Sequence, residues 1–312
     1  MIAAQRRGLI AAQRIALRYP AMFADLAVDT AARADSHTPG RYHTLLPHHW
    51  DFLLPSGGVV MTCALRAAAA ELADPALRFA SATTIFCTPI KHGPLVSDVV
   101  VLRRGGSAAQ VRVALHDASG EPGLEVLATF LRERKGPDVR GVPLPRVRSL
   151  ADALSVDNAS RSSPHVLLRF HQQLEYRIAD GARFGHDGEA AGPPRYARWV
   201  RYRTPQRDAH GRLDRLALMP LIDMMPAALH RAIGPGSYRF HAPSLDLTTY
   251  VIDDTSREWL LCAITSRRAR AGWAISDVDV WDDEGRYLAH GAQAMFIRGV
   301  AGEPPVIDAS GR

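Results

Sequence analysis

Residues 214–231 read DRLALMPLIDMMPAALHR. The run is long enough for a helix and apolar on nearly every side, which marks an element wrapped by other structure rather than one lying on a surface. One carboxylate, Asp223, stands in its middle between Ile222 and Met224. An ionised carboxylate left unpaired in such surroundings costs roughly several kcal/mol. Asp223 therefore either reaches solvent through a gap or faces a polar site that uses it; a satisfied core or loop aspartate is the plain alternative. Pro220 and Pro226 bracket it, and proline starts or kinks a helix, so the sequence predicts a bend near Asp223.

Outward from this run, the chain shows one plan twice. PSGGVVMTCALRAAAAEL (55–72) is a Gly-Gly turn opening an apolar helix, closed by Asp74-Pro75. Strand-like runs follow: LRFASATTIFCTPI, PLVSDVVVLRRGGSAAQVRVALHD and LEVLATFLRER. Residues 135–164 are rich in Pro, Arg, Ser and Asp without periodicity and read as a linker or irregular crossover. Beyond them VLLRFHQQLEYRI and YARWVRYR read as strands either side of a Gly-rich loop. The 214–231 run comes next, then YRFHAPSLDLTTYVID, EWLLCAITSRR and GWAISDVDVWDDEGRYLAHGAQAMFIR. GGSAAQVRVALHDASG (105–120) lies without a gap on RAGWAISDVDVWDDEG (270–285). SATTIF (81–86) is laid on SLDLTT (244–249), setting Ser81 against Ser244, and the helix at 57–72 is laid against 214–231. Each half is thus a helix followed by antiparallel strands. An α+β fold in which each sheet wraps its own helix, with the halves side by side, accounts for the apolar helices and protects the edge strands.

Composition narrows the function. In 312 residues, 47% are hydrophobic and 22% charged, as in an ordinary globular protein. The formal charge of +6 comes almost entirely from arginine, and no block of like charge is long enough for a nucleic-acid tail. Scattered arginines decorate a surface or recognise anions such as a phosphate-bearing carrier. Cys63, Cys87 and Cys262 lie far apart with no metal-site spacing, which predicts neither disulfides nor a structural metal and a reducing, cytoplasmic compartment. His43, His48 and His49 have no acidic or cysteine partner at a useful spacing and read as surface or packing histidines. No run of about 18 apolar residues predicts a membrane span. Residues 1–21 carry arginines and no acids, superficially like a transit peptide, but their apolar runs are too short for a secretory signal.

Taken in order, these motifs resemble the acyl-CoA thioesterase II (TesB-like) family. They are Trp50, PSGGVV, ALRAA, FASATTIFCTPI and VLRRGGSAAQVRVAL in the first half, then WVRYR, LIDMMPAAL, HAPSLDLTTY, EWLL and VWDDEGRYLAHGAQAMF in the second. The resemblance runs from about residue 40 to 298 outside the linker and implies a double hotdog. An N-terminal extension at 1–40, poorly ordered, would precede a first hotdog at 41–134. The linker at 135–164, a second hotdog at 165–300 and a tail at 301–312 would follow. It implies hydrolysis of an acyl-CoA without cofactor or metal, and leaves assembly into a homo-oligomer open.

In that family an Asp on the central helix, a Ser or Thr opening the next strand and a Gln near the end of the last strand hold and activate the hydrolytic water. These fall on Asp223, Ser244 and Gln293. A carboxylate in an apolar wall gains basicity and can take a proton from water, while a hydroxyl and an amide fix the line of attack. Gly57 and Gly58 would let a substrate approach the chain and offer backbone N–H groups to the oxyanion. Laying Phe130 on Phe296 puts Leu127 where Gln293 stands, and the first helix has no acid, so the resemblance implies a single site in the second half. Asp246 is a second candidate for the base. Two rival functions remain beside hydrolysis. A hydratase or dehydratase would need an Asp-His pair in a GDxNPxH-type stretch, which the sequence lacks; a non-catalytic acyl-CoA binding module would share the fold.

Overall fold

The computed structural model describes residues 23–156, 168–181, 191–234 and 238–306. In the first half a short helix α1 (Leu26–Asp29) and strands β1 (Arg33–Ala34) and β2 (Arg41–Leu46) precede the long helix α2 (Gly57–Leu72). Strands β3 (Arg78–Phe86), β4 (Gly93–Arg104), β5 (Ala108–Asp117) and β6 (Leu124–Leu131) follow. The second half comprises β7 (Leu154–Ser155), a helical turn α3 (Arg169–Gln172), β8 (Leu174–Asp180) and β9 (Arg195–Tyr202). After them come α4 (Met219–Ile222), α5 (Pro226–Ile233), β10 (Arg239–His241), β11 (Asp246–Val251), β12 (Leu260–Arg270), β13 (Trp273–Asp282), β14 (Tyr287–Phe296) and β15 (Arg298–Ala301).

Apart from β10 and β15, which pair with each other, all strands join one 13-stranded antiparallel sheet, ordered β1-β2-β4-β5-β6-β3-β11-β14-β13-β12-β9-β8-β7. The halves meet where β3 pairs with β11, so neither presents that edge to solvent. Helix α2 is apolar on most sides and eleven of its residues are buried, packed on β4, β5, β6 and α4. It ends at Ala73 in the left-handed conformation. The run from Arg215 to Ile233 is apolar enough by composition to cross a membrane, but 72% of it is buried inside the fold. Its helix breaks after Ile222: Pro226 has no N–H to give the Ile222 carbonyl, and Asp223 sits at the break. The bend expected from the two prolines is present.

Four expectations are corrected. VLLRFHQQLEYRI is not one strand, because Arg169–Gln172 turns as a helix before β8 begins at Leu174. Residues 24–40 are not a loose extension: the α1 cap and Thr30 are hydrogen-bonded, Leu26 is fully buried, and Trp50 Nε1 donates to Asp29. The extension's residues 1–22 lie outside the described residues, as do 157–164 of the linker, 165–167 at the start of the second half and 307–312 of the tail. The linker is shorter than 135–164: residues 135–146 are mostly exposed, whereas 147–156 pack as a crossover that includes β7, the Arg148 carbonyl accepting from Trp199 Nε1 and the Leu150 carbonyl from Arg177.

The fourth correction concerns register. Bulges fall between Val101 and Arg103 in β4–β5 and between Ser266 and Arg268 in β12–β13. Each is displaced by the 165 residues that carry 105–120 onto 270–285. Phe79 pairs with Phe130, and Ser244 bridges to Met295, again by the same step. Thr83 and Thr248 are then equivalents, and they face each other across the junction with hydroxyls 3.1 Å apart. Ser81 is therefore the counterpart of Asp246, not of Ser244. Gln293 corresponds to Ala128, not Leu127, whose exposed side chain lies on the opposite face of the sheet.

Candidate active site

The break in the central helix determines what Asp223 can touch. Gly291 on β14 has no side chain where a Cβ would strike Ile222, so the end of α4 lies directly on the sheet. Asp223 then projects toward the junction of the two halves and is half-buried. Its Oδ1 accepts from Ser244 Oγ at 3.0 Å and Gln293 Nε2 at 2.6 Å. Gln293 Nε2 also donates to Ser244 Oγ at 2.7 Å, closing a triangle. Asp223 Oδ2 accepts from the Gly58 N–H at 2.8 Å and, more distantly, from Ser56 Oγ at 3.3 Å. The structure thus brings Asp223, Ser244 and Gln293 together and places the start of α2 from the other half against them.

Local sequence explains each placement. Ser244 follows Pro243 just ahead of β11, where its bridge to Met295 holds it beside β14. Gln293 is on the inner row of β14, opposite Ser276 on β13, and only 2% exposed. Ser56 occupies the position before α2 where a hydroxyl ordinarily caps its own helix, yet it makes no such cap and donates across the junction instead. In the sequence Ser56 reads as an ordinary helix cap, so nothing local marks it as a donor to Asp223. Gly58 was expected to approach substrate; its amide is instead committed to Asp223. A Cβ there would meet the Met219 carbonyl oxygen at 2.4 Å, so the glycine serves the close contact of α2 with α4. The Gly57 amide at the helix start has no acceptor among the described residues.

The electrostatics follow. Burial raises the Asp223 carboxyl above its ordinary range, and the bonds from Gly58, Gln293, Ser244 and Ser56 pull it back only in part. Gln293 Oε1 is buried with no donor among the described residues, and Ser276 Oγ beside it is likewise unpartnered. Asp246 lies apart from the triangle, its Oδ1 accepting from the Ala294 N–H at 2.9 Å. Ser81 sits mid-strand between Thr129 and Tyr250. By the 165-residue step of the strands the counterparts of Ser244 and Gln293 are Phe79 and Ala128, and the first turns of α2 carry no acid, so among the described residues the arrangement occurs once.

The histidines join no such cluster. His43 pairs with Asp35 and His92 with Asp51, and among the described residues no group of side chains has the geometry of a metal site.

Residues 46–131 match the family model of the acyl-CoA thioesterase N-terminal domain and residues 145–297 that of the acyl-CoA thioesterase C-terminal domain. No curated protein matches the chain. Among solved structures, a hot-dog-fold protein from Alicyclobacillus acidocaldarius superposes with a TM-score of 0.71 at 20% identity, covering 90% of this chain and 98% of that one. A protein from Novosphingobium aromaticivorans gives 0.68 at 24%, over 86% and 99%. Acyl-CoA thioesterase II TesB2 from Mycobacterium marinum gives 0.66 at 19%, over 89% and 100%. At these identities the likeness speaks for the fold, a double hotdog. The two domain matches, in order and spanning both halves, carry the family: the chain belongs to the acyl-CoA thioesterase family, with both its N-terminal and its C-terminal domain.

Proposed function

We propose that the protein hydrolyses a fatty acyl-CoA thioester to free acid and CoA, with water attacking at the Asp223–Ser244–Gln293 site of the second half. The observation that supports this most is the convergence of a hydroxyl, an amide and a backbone N–H on one half-buried carboxylate of raised pKa. Groups whose environment shifts them in this way are suited to acid–base work.

In this reading a water takes the place of Ser56 Oγ, the most distant of the four donors to Asp223. Asp223 accepts one proton of that water as its oxygen bonds to the thioester carbon. Gln293 Oε1, otherwise without a donor, accepts the second proton as a hydrogen bond, and Ser244 keeps the carboxylate and amide in register. The carbonyl oxygen gains negative charge at the start of α2, where the free Gly57 N–H and the positive end of the helix stabilise it. Collapse of the tetrahedral species breaks the carbon–sulfur bond, and the proton held by Asp223 passes to the departing thiolate. The acid and thiol are then complete, and Asp223 returns to its starting state.

A second reading draws on one specific feature. Both oxygens of Asp223 are already hydrogen-bonded twice, as a structural carboxylate would be, and a non-catalytic acyl-CoA binding module has the same fold. The test is release of free thiol from acyl-CoAs of graded chain length by the parent and by Asp223→Asn. Hydrolysis by the parent, reduced roughly 10²–10⁴-fold in the variant, supports the proposal. Tight binding without thiol release supports the binding module. Full turnover in Asp223→Asn with loss in Asp246→Asn moves the base to Asp246.

A further inference from the structure

Arg198 is a charged side chain buried in the wall of the second half, only 8% exposed. It lies mid-strand in β9, opposite Ile178 of β8 and Cys262 of β12. Its neighbours on the inner row, Tyr196, Val200 and Tyr202, all belong to the main core. Among the described residues no carboxylate comes within ion-pair distance of it, and its Nε is buried without a partner. Arg66, Arg78 and Arg215, half-buried arginines that bridge elements elsewhere in the fold, each meet an aspartate. Burying a cation without its counter-charge is costly enough that a well-packed apolar residue would ordinarily serve better in such a wall.

What Arg198 does touch is the helix break. Its Nη2 donates to the Met224 carbonyl at 3.2 Å, just past the end of α4. Met224 lies between the two helices, and the guanidinium N–H gives its carbonyl a donor there. Its guanidinium also lies 5.4 Å from the ring of Tyr176, whose hydroxyl is 3.6 Å from Met224 Sδ and 2.8 Å from His171 Nδ1. Met224 is thus held from the sheet at both its backbone and its side chain, and the residue before it is Asp223.

We propose that Arg198, with Tyr176 behind it, clamps Met224 and so fixes the helix break that presents Asp223 to Ser244 and Gln293. Arg198 is a positioning residue: it acts on the carboxylate through the backbone and touches neither substrate nor reacting atoms. The link to turnover rests on the thioesterase reading above; the clamp itself does not.

The experiment compares Arg198→Met, which keeps the bulk and removes the donors, with Arg198→Lys, which keeps a cationic donor. On one medium-chain acyl-CoA, Arg198→Met is expected to lower kcat at least tenfold with KM within threefold, and Arg198→Lys to recover most of the loss. Added to Asp223→Asn, Arg198→Met should change residual turnover less than threefold, because there is no carboxylate left to position. Hydrogen exchange of 219–233 should quicken in Arg198→Met while that of 57–72 stays as in the parent. Undiminished kcat, an equal loss in the Asp223→Asn background, or unchanged exchange across 219–233 overturns the proposal. If the parent releases no thiol, the thioesterase reading fails and the exchange measurement still decides the clamp. Should Arg198→Met not fold, Arg198→Gln takes its place in every comparison.

Discussion

Gly58→Ala is the sharpest test of the junction between the halves. A methyl group at residue 58 would sit 2.4 Å from the Met219 carbonyl oxygen and 2.7 Å from Pro220 Cα. Both are backbone atoms of a buried segment and cannot swing aside. Restoring an ordinary contact of 3.4 Å separates α2 from α4 by about 1 Å. The Gly58 N–H, now 2.8 Å from Asp223 Oδ2, would move to roughly 3.8 Å, beyond hydrogen-bonding distance. Losing a bond to a charged group costs about 1.5–3 kcal/mol, and forcing extra volume into a packed contact about 1–3 kcal/mol. The expected destabilisation is about 3–5 kcal/mol, a melting temperature lower by ~5–8 °C. Turnover should drop at least tenfold, because Asp223 loses its only donor from the first half that cannot rotate away. Gly57→Ala is the comparison for stability: its methyl would meet the Phe86 ring at 2.9 Å, and that half-buried ring can turn, so about 1 kcal/mol is expected, while the methyl's 3.1 Å approach to Asp223 Oδ2 lowers turnover as well. Thermal and urea unfolding, with thiol release alongside, make the comparison. A Gly58→Ala protein within about 1 kcal/mol of the parent and fully active would refute the argument.

Ser244→Ala and Gln293→Ala should each reduce kcat at least tenfold, about 1.4 kcal/mol of barrier, with small changes in melting temperature. Ser81→Ala should stay within a few-fold, and equal losses at Ser81 and Ser244 would sink the single site. The rate needs ionised Asp223, whose pKa burial raises above 3.8, so the rate should fall as pH drops through that raised value. Removing Ser244 or Gln293, whose bonds lower it, should move the acid limb of a pH–rate profile upward. Burial pushes the Asp254 carboxyl up, but Arg78 and Arg215 outweigh it and hold it well below its ordinary value. Asp254→Ala strands those arginines and should cost roughly 3–5 kcal/mol at pH 7. Because the folded pKa is depressed, the deficit against the parent should be complete above pH 3.8 and narrow as pH falls below it. Ala73→Gly should stabilise by about 0.5–1 kcal/mol in denaturant unfolding, since residue 73 is left-handed at φ 47°.

Much of this protein was legible in its sequence because the decisive signals are local. An apolar run interrupted by one acid and bracketed by Pro220 and Pro226 announces a buried helix that bends at Asp223. Alternating residues closing on an acidic Gly turn recur at 105–120 and 270–285, and the recurrence alone implies two like halves. Asp223, Ser244 and Gln293 were named from the resemblance those motifs carry, and they do meet. Register was another matter. Sliding SATTIF along SLDLTT by two residues keeps every side chain on the same face, so alternation cannot detect the error that matched Ser81 with Ser244. Only the hydrogen-bond ladder, with bulges at Val101–Arg103 and Ser266–Arg268, settles it. The one-residue slip that matched Leu127 with Gln293 does change face, and the exposed Leu127 exposes it. Tertiary structure alone decided which donors reach Asp223. Ser56 and Gly58 lie 167 and 165 residues away in the chain, and no local pattern records that α2 of one half starts against the broken helix of the other. The same holds for Arg198, an ordinary strand arginine by sequence whose side chain is turned inward by the pleat of β9 and given its partner by the fold.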